Sequence, residues 1–131
     1  MYCLDSDALI AILRGDKAIE DLVEKIDESR GASTTVINAY EILFGAKRSL
    51  RKEESLRETR KLLSKLNVLE MNSESSEIAS DIFALLSKEG RIIGIRDVFI
   101  ASIFLSNGYS TLITRNEKDF SKIKGLKVQK W

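Results

Sequence analysis

The chain contains no histidine, no proline and a single cysteine. The missing histidine excludes Ser-His-Asp and Cys-His catalysis, imidazole zinc ligation and histidine-based RNA cleavage together. One cysteine leaves no internal disulfide and no thiolate zinc cage. Its place in the short apolar run YCL makes Cys3 a small core residue, not a nucleophile. Acid–base chemistry must then come from carboxylates, lysine, tyrosine or a metal-activated water. Long apolar runs are missing too: LIAIL and VFIASIFL are too short to span a bilayer. No basic-then-apolar leader opens the chain, so a cytoplasmic protein with no membrane attachment is expected. Neither sign of charge dominates. The 21 basic and 20 acidic residues leave a net charge of +1, which decides nothing, because charge can still be segregated in space.

What is present fits one packed domain over residues 1–131. A chain of this length buries roughly two-thirds of its unfolded surface, and 44% hydrophobic with 31% charged residues is globular composition. Residues 2–5 read as a strand and 5–14 as a helix stopped by Gly15. Asp16 caps a second helix to about Ser29, on the spacing of Ile19, Leu22, Val23 and Ile26. The β-branched run ASTTV is a second strand, and a third helix follows over 36–47. Residues 49–66 form a charged amphipathic helix with Leu56, Leu62, Leu63 and Leu66 on one stripe. NVLEM is a third strand and 73–88 a helix. GRIIGIR is a loop, 97–107 a helix, TLIT a fourth strand and LKVQKW a short fifth. Strands alternating with helices predict an α/β fold with a mostly parallel central sheet flanked by helices. In such sheets ligands bind beyond the carboxyl ends of the strands.

Acids recur at that edge. Asp5 follows the first strand, and either it, Ser6 or Asp7 can cap the next helix; Asp7 falls in a first turn, where the helix dipole accounts for it. Glu41, in VINAYEILFGA, has apolar neighbours at three- and four-residue spacing. It therefore needs a partner: an arginine, a set of hydrogen-bond donors or a cation. Asp97 precedes an apolar helix and reads alone as a cap. Asp119, in TRNEKDF, reads alone as a turn residue with Asn116 beside it. A parallel sheet would bring all four to one edge, where carboxylates repel and cannot all ionise unaided. A divalent cation with oxygen ligands, Mg²⁺ or Mn²⁺, removes the conflict.

Four stretches resemble one family in order and spacing: YCLDSDALIAILRG, TTVINAYEILFGA, GRIIGIRDVFIASIFLSNGY and TLITRNEKDFSKIKGLKVQKW. The chain resembles PIN-domain ribonucleases of the VapC type, the toxins of toxin–antitoxin pairs, over essentially its whole length. The resemblance implies a PIN-like three-layer fold and Mg²⁺- or Mn²⁺-dependent hydrolysis of RNA. It also implies a cognate antitoxin partner and a homodimer. Asp5, Glu41 and Asp97 match the three principal metal-site acids, and Asp119 or Asn116 the fourth position. Ser6 matches a hydroxyl that accompanies the first acid; Asp7 stands where many members have Asn, and Ser102 where they often have Ala. Arg96, Arg115 and Lys118, with Ser6 and Asn116, are the candidate contacts to substrate.

Two other readings use the same residues. In one, the acids are structural and the amphipathic helices of a non-catalytic module bind a protein partner. In the other, Asp5 after a first strand is an aspartyl-phosphate nucleophile. That chemistry wants a lysine after a later strand, where this chain has Arg115 and Asn116.

Overall fold

The computed structural model describes residues 2–29 and 31–131. Among these, five short strands form one sheet: β1 (Tyr2–Leu4), β2 (Ala32–Thr35), β3 (Asn67–Leu69), β4 (Thr111–Ile113) and β5 (Lys127–Gln129). Their spatial order is β3-β2-β1-β4-β5 and every pairing is parallel. The predicted α/β architecture is therefore the observed one. The chain runs outward from β1 to β3, then crosses back to lay β4 on the other side of β1. That reversal makes the carboxyl end of β1 the switch point of the sheet, where a crevice must open.

The crossovers carry the helices. Helix α1 (Ser6–Leu13) and α2 (Glu20–Glu28) follow β1, α3 (Val36–Lys47) and α4 (Lys52–Ser64) follow β2, and α5 (Ser73–Lys88) and α6 (Ile95–Ser106) follow β3. One turn, α7 (Glu117–Phe120), follows β4. Side chains alternate across a strand, so Cys3 and Leu112 pack with Val98, Ala101 and Phe104 of α6. Leu4 and Ile113 point the other way, to Ala8, Leu9, Leu22 and Ile42. Two cores on opposite faces give three layers. Burial pushes the Cys3 thiol up to about 12, in keeping with its reading as inert core.

Local signals explain the boundaries. Asp16 accepts the amide of Ala18 at 3.0 Å, but the cap starts a 3-10 turn, Lys17–Ile19, before α2. Gly15 and Gly108 adopt φ of +65° and +81° after α1 and α6, the left-handed turn that only glycine enters at little cost. The predicted helix over 49–66 begins at Lys52, because residues 49–51 form a turn tied by the Ser55 hydroxyl to Ser49. Its stripe, and that of α2, face inward: Leu22, Ile26, Leu62 and Leu63 all join the core of α1. Helix α6 begins two residues earlier than the sequence predicts, with Gly94 in the cap position.

Candidate active site

Asp5 occupies the cap position of α1, but its side chain makes no capping bond. It turns instead into the crevice and is 7% exposed. Oδ1 accepts from Asn38 Nδ2 at 2.9 Å, and Oδ2 accepts the Thr114 hydroxyl at 2.7 Å. Both donors are completely buried. A carboxylate oxygen accepts more than one bond, so each retains capacity toward the cleft.

Asn38 is fixed by the cap of α3. Thr35 ends β2, accepts the amides of Ile37 and Asn38, and donates its hydroxyl to Asn38 Oδ1 at 2.7 Å. With its oxygen so committed, the amide nitrogen must face Asp5 and Ser6. It reaches Ser6 Oγ at 2.9 Å, and the Ser6 hydroxyl donates onward to Glu41 Oε1 at 3.1 Å. Glu41 lies one turn beyond Asn38 on the same helix face. Its other oxygen, Oε2, is 3.0 Å from Arg96 Nη1. Of the three partners the sequence leaves open for Glu41, the structure thus supplies two: an arginine and a hydroxyl donor.

The network continues on the other side of Asp5. Thr114 Oγ1, while donating to Asp5, accepts the backbone amide of Asn116 at 3.1 Å. Asn116 Nδ2 then lies 3.3 Å from Asp97 Oδ2 and 3.5 Å from Asp119 Oδ2. The two candidates for the fourth position, Asn116 and Asp119, thus lie side by side, with the amide between Asp97 and Asp119. Asp97 sits in the first turn of α6 and does not cap it, since Gly94 holds that position. One unbroken path, Glu41–Ser6–Asn38–Asp5–Thr114–Asn116–Asp97 and Asp119, therefore links the four predicted acids.

Charge crowding is visible in their protonation. Burial, above all, raises the Asp5 pKa from 3.8 to about 6; the Thr114 hydroxyl and the Ser6 backbone amide lower it, and the charges of Asp7 and Asp97 raise it. The Asp97 pKa is also raised, first by burial and then by Asp119 and Glu41, against the opposing pull of Arg96 and Asn116. The charges feel one another, yet among the described residues no three acidic groups already close on one point as in a formed ion cage. Glu41 is turned to Arg96 and Ser6, and Asp97 to Asn116. An all-oxygen donor set with room for water still suits Mg²⁺ or Mn²⁺, which take only one or two carboxylates and keep several waters.

Other candidates fall around this path. Ser6 and Asn116 are links within it. Arg96 covers Glu41. The Arg115 guanidinium stacks on Trp131, 4.5 Å from the ring centroid, and donates to the Trp131 carbonyl at 3.2 Å. Lys118 is exposed. Asp7, read from sequence as a dipole residue, does more: Oδ1 accepts the Ala8 amide at 2.8 Å, while Oδ2 accepts the Arg115 amide at 2.8 Å and lies 3.2 Å from Thr114 Oγ1. It ties the loop after β4 to the start of α1. Asn38, Thr114 and this role of Asp7 are what sequence reasoning missed. The T-x-x-N cap was the available signal for Asn38; Thr114 had none.

Comparison with known proteins bears on this arrangement. The PIN domain family model matches residues 2–126. Ribonuclease VapC1 of Haemophilus influenzae is 31% identical over 132 residues, covering 100% of this chain and 98% of the relative. A tRNA(fMet)-specific endonuclease VapC of Salmonella typhimurium is 30% identical over 95 residues, 72% of this chain and 71% of that one. The structure of VapBC-1 from nontypeable Haemophilus influenzae superposes with a TM-score of 0.84 at 30% identity, covering 99% of this chain and 97% of the other. With a three-layer parallel fold, acids gathered at its switch point and full-length likeness to these proteins, the chain belongs to the PIN-domain family, among the VapC ribonucleases.

Proposed function

We propose that this chain is a divalent-metal-dependent endoribonuclease and the toxin of a toxin–antitoxin pair. The observation that carries the reading is the continuous hydrogen-bonded path joining Asp5, Glu41, Asp97 and Asp119 at the switch point. Asp5, Asp97 and Glu41 would hold Mg²⁺ or Mn²⁺, with Asp119 completing the shell through its waters. The ion, when bound, supplies an activated water near neutral pH and positive charge against the scissile phosphate.

The chain's own residues do the rest. Asn38 and Thr114 fix the Asp5 carboxylate so that its free lone pairs face the cleft, and Asn116 sets the spacing of Asp97 from Asp119. Arg96 stands at the mouth of the cleft, beside Asp97, where a phosphate of the RNA would arrive. In-line attack by water leaves a 5′-phosphate and a 3′-hydroxyl. Single-stranded or loop RNA is the substrate form, because its backbone can bend into a crevice. A transfer RNA, the substrate in the Salmonella relative's name, presents such loops.

An antitoxin partner is supported by the solved complex of the Haemophilus relative. A groove of about 440 Å³ runs between α1, α3 and α4 and is lined by Ile10, Leu13, Ile42 and Ala46, with Glu41 also in its wall. A partner segment laid there would touch Glu41. A homodimer is supported by exposed apolar side chains on and around α5 and α6: Phe83, Leu85, Ile92 and Ile95. No helix among the described residues is long and apolar enough to cross a membrane.

The non-catalytic reading draws support from the bonds that already satisfy Glu41. The two readings part on metal. Titration with Mn²⁺ raises the melting temperature of a metal-binding nuclease, whereas a module with purely structural acids shows no shift. The phosphotransferase reading loses ground, because Asp5 is held by Asn38 and Thr114, and among the described residues the lysine on the path, Lys122, pairs with Asp119 and not with Asp5.

A further inference from the structure

Among the described residues Arg96 is the cation paired with Glu41, at one end of the acidic path, as Lys122 is with Asp119 at the other, and the position of Arg96 is not explained by folding. Its side chain is 64% exposed, and that of Glu41 is 23% exposed. An ion pair so open to water contributes little to stability. Among the described residues the guanidinium makes no other hydrogen bond, so most of its five N–H donors face solvent. Yet the contact is short, 3.0 Å, and falls on the oxygen of Glu41 that Ser6 leaves open. Arg96 also bears on the next acid along, since its charge and that of Glu41 act on Asp97 with opposite sign. A positive charge thus lies at the Glu41 end of the carboxylates that would take a divalent ion, while Lys122 lies 3.8 Å from Asp119 at the other end.

From this placement we propose that Arg96 is a resident counter-cation, which competes within the same chain with the divalent ion for the Glu41 carboxylate. The inference rests on the metal-dependent reading above and adds to it a residue that sets metal affinity. With no ion present, the guanidinium offsets the repulsion between Glu41 and Asp97 and holds Glu41 turned outward. For Glu41 to serve the ion, the Arg96 contact must break, and the energy of that contact is subtracted from metal binding. Breaking it also leaves the guanidinium free at the mouth of the cleft, beside Asp97.

The test is calorimetric titration of Mn²⁺, without RNA, into four proteins: the parent, R96Q, E41Q and the double variant. The exposed position of Arg96 allows its replacement without loss of fold. R96Q is expected to bind Mn²⁺ about two- to fivefold tighter than the parent, the range set by a surface ion pair. E41Q is expected to bind more weakly, and adding R96Q to E41Q should change affinity by less than about twofold. R96K, which keeps the charge, should stay within about twofold of the parent. The inference is overturned if R96Q binds no tighter, or if it tightens binding equally in the E41Q background, which would mean a diffuse field and no competition for Glu41. Failure of the parent itself to bind Mn²⁺ at millimolar concentration would overturn the metal-dependent reading as well. Parent binding with an inert R96Q would overturn this inference alone.

Discussion

The Thr114 hydroxyl donates to Asp5 Oδ2 at 2.7 Å across 109 positions of sequence. Neither residue is exposed, and the bond closes β4 onto β1 at the point where the sheet reverses direction. Replacing Thr114 by Val removes this donor from a buried carboxylate, at a cost of about 1–3 kcal/mol. The Thr114 bond lowers the proton affinity of Asp5, so its loss should move the acidic limb of the pH–rate profile upward. A profile unchanged from the parent would show that the bond does not tune the acid.

Asp5 binds its proton more tightly in the folded protein, with a pKa of about 6, than at its ordinary value of 3.8. The folded state therefore holds more protons than the unfolded chain between those values. The resulting stability is fully present below about pH 4, falls as pH rises, and is lost above about 6. Two units at 1.36 kcal/mol each put the total on the order of 3 kcal/mol. Asp97, shifted in the same direction, adds to the slope. Urea unfolding in EDTA from pH 4 to 8 should show this decline in the parent and a shallower one in the Asp5→Asn variant.

The same variant separates stability from function. An asparagine at position 5 can accept from Asn38, and the Thr114 hydroxyl can turn to Asp7 Oδ2, 3.2 Å away. At pH 7.5 in EDTA, Asp5→Asn is expected to be more stable than the parent by up to about 3 kcal/mol. It should also have lost cleavage and the stabilisation by Mn²⁺. A less stable variant would contradict the view that ionised Asp5 is a strained group kept for function.

These relationships differ in how far the sequence discloses them. Asp5 stands out because an acid ends an apolar strand, and Glu41 because apolar neighbours surround it. The parallel sheet follows from alternating helical and β-branched segments, and the sheet in turn brings the acids together. Asn38 and Thr114 carry no charge; Asn38 is marked only by its place in the Thr35-x-x-Asn38 cap, and Thr114 reads as the end of a strand. Their meaning arises only when β1, β2 and β4 lie side by side. Asp97 was expected to cap α6 because it is the nearest polar residue to the apolar run. The actual cap, Gly94, has no side chain and so gives a weak signal. The Arg96–Glu41 contact joins α6 to α3 and could be read only as one of several possible partners.

Asn38 should behave as a positioning residue. It is fully buried, with both hydrogens of its amide committed to Asp5 and Ser6. Asn38→Ala strands those acceptors, which predicts a loss of about 1–3 kcal/mol. Displacing Asp5 by a fraction of an ångström should lower kcat on the order of tenfold to a hundredfold. RNA binding, measured with Ca²⁺ in place of Mg²⁺, should change little. Equal losses in KM and kcat would indicate a general structural role instead.

The most direct measurement is cleavage of RNA with mapped ends, comparing the parent chain and Asp97→Asn, each with Mn²⁺ and with EDTA. The predicted result is discrete cuts bearing 5′-phosphates and 3′-hydroxyls for the parent in Mn²⁺, and none in EDTA or in the variant. Cleavage that persists in EDTA, or in Asp97→Asn at the parental rate, would contradict a metal site built on these acids.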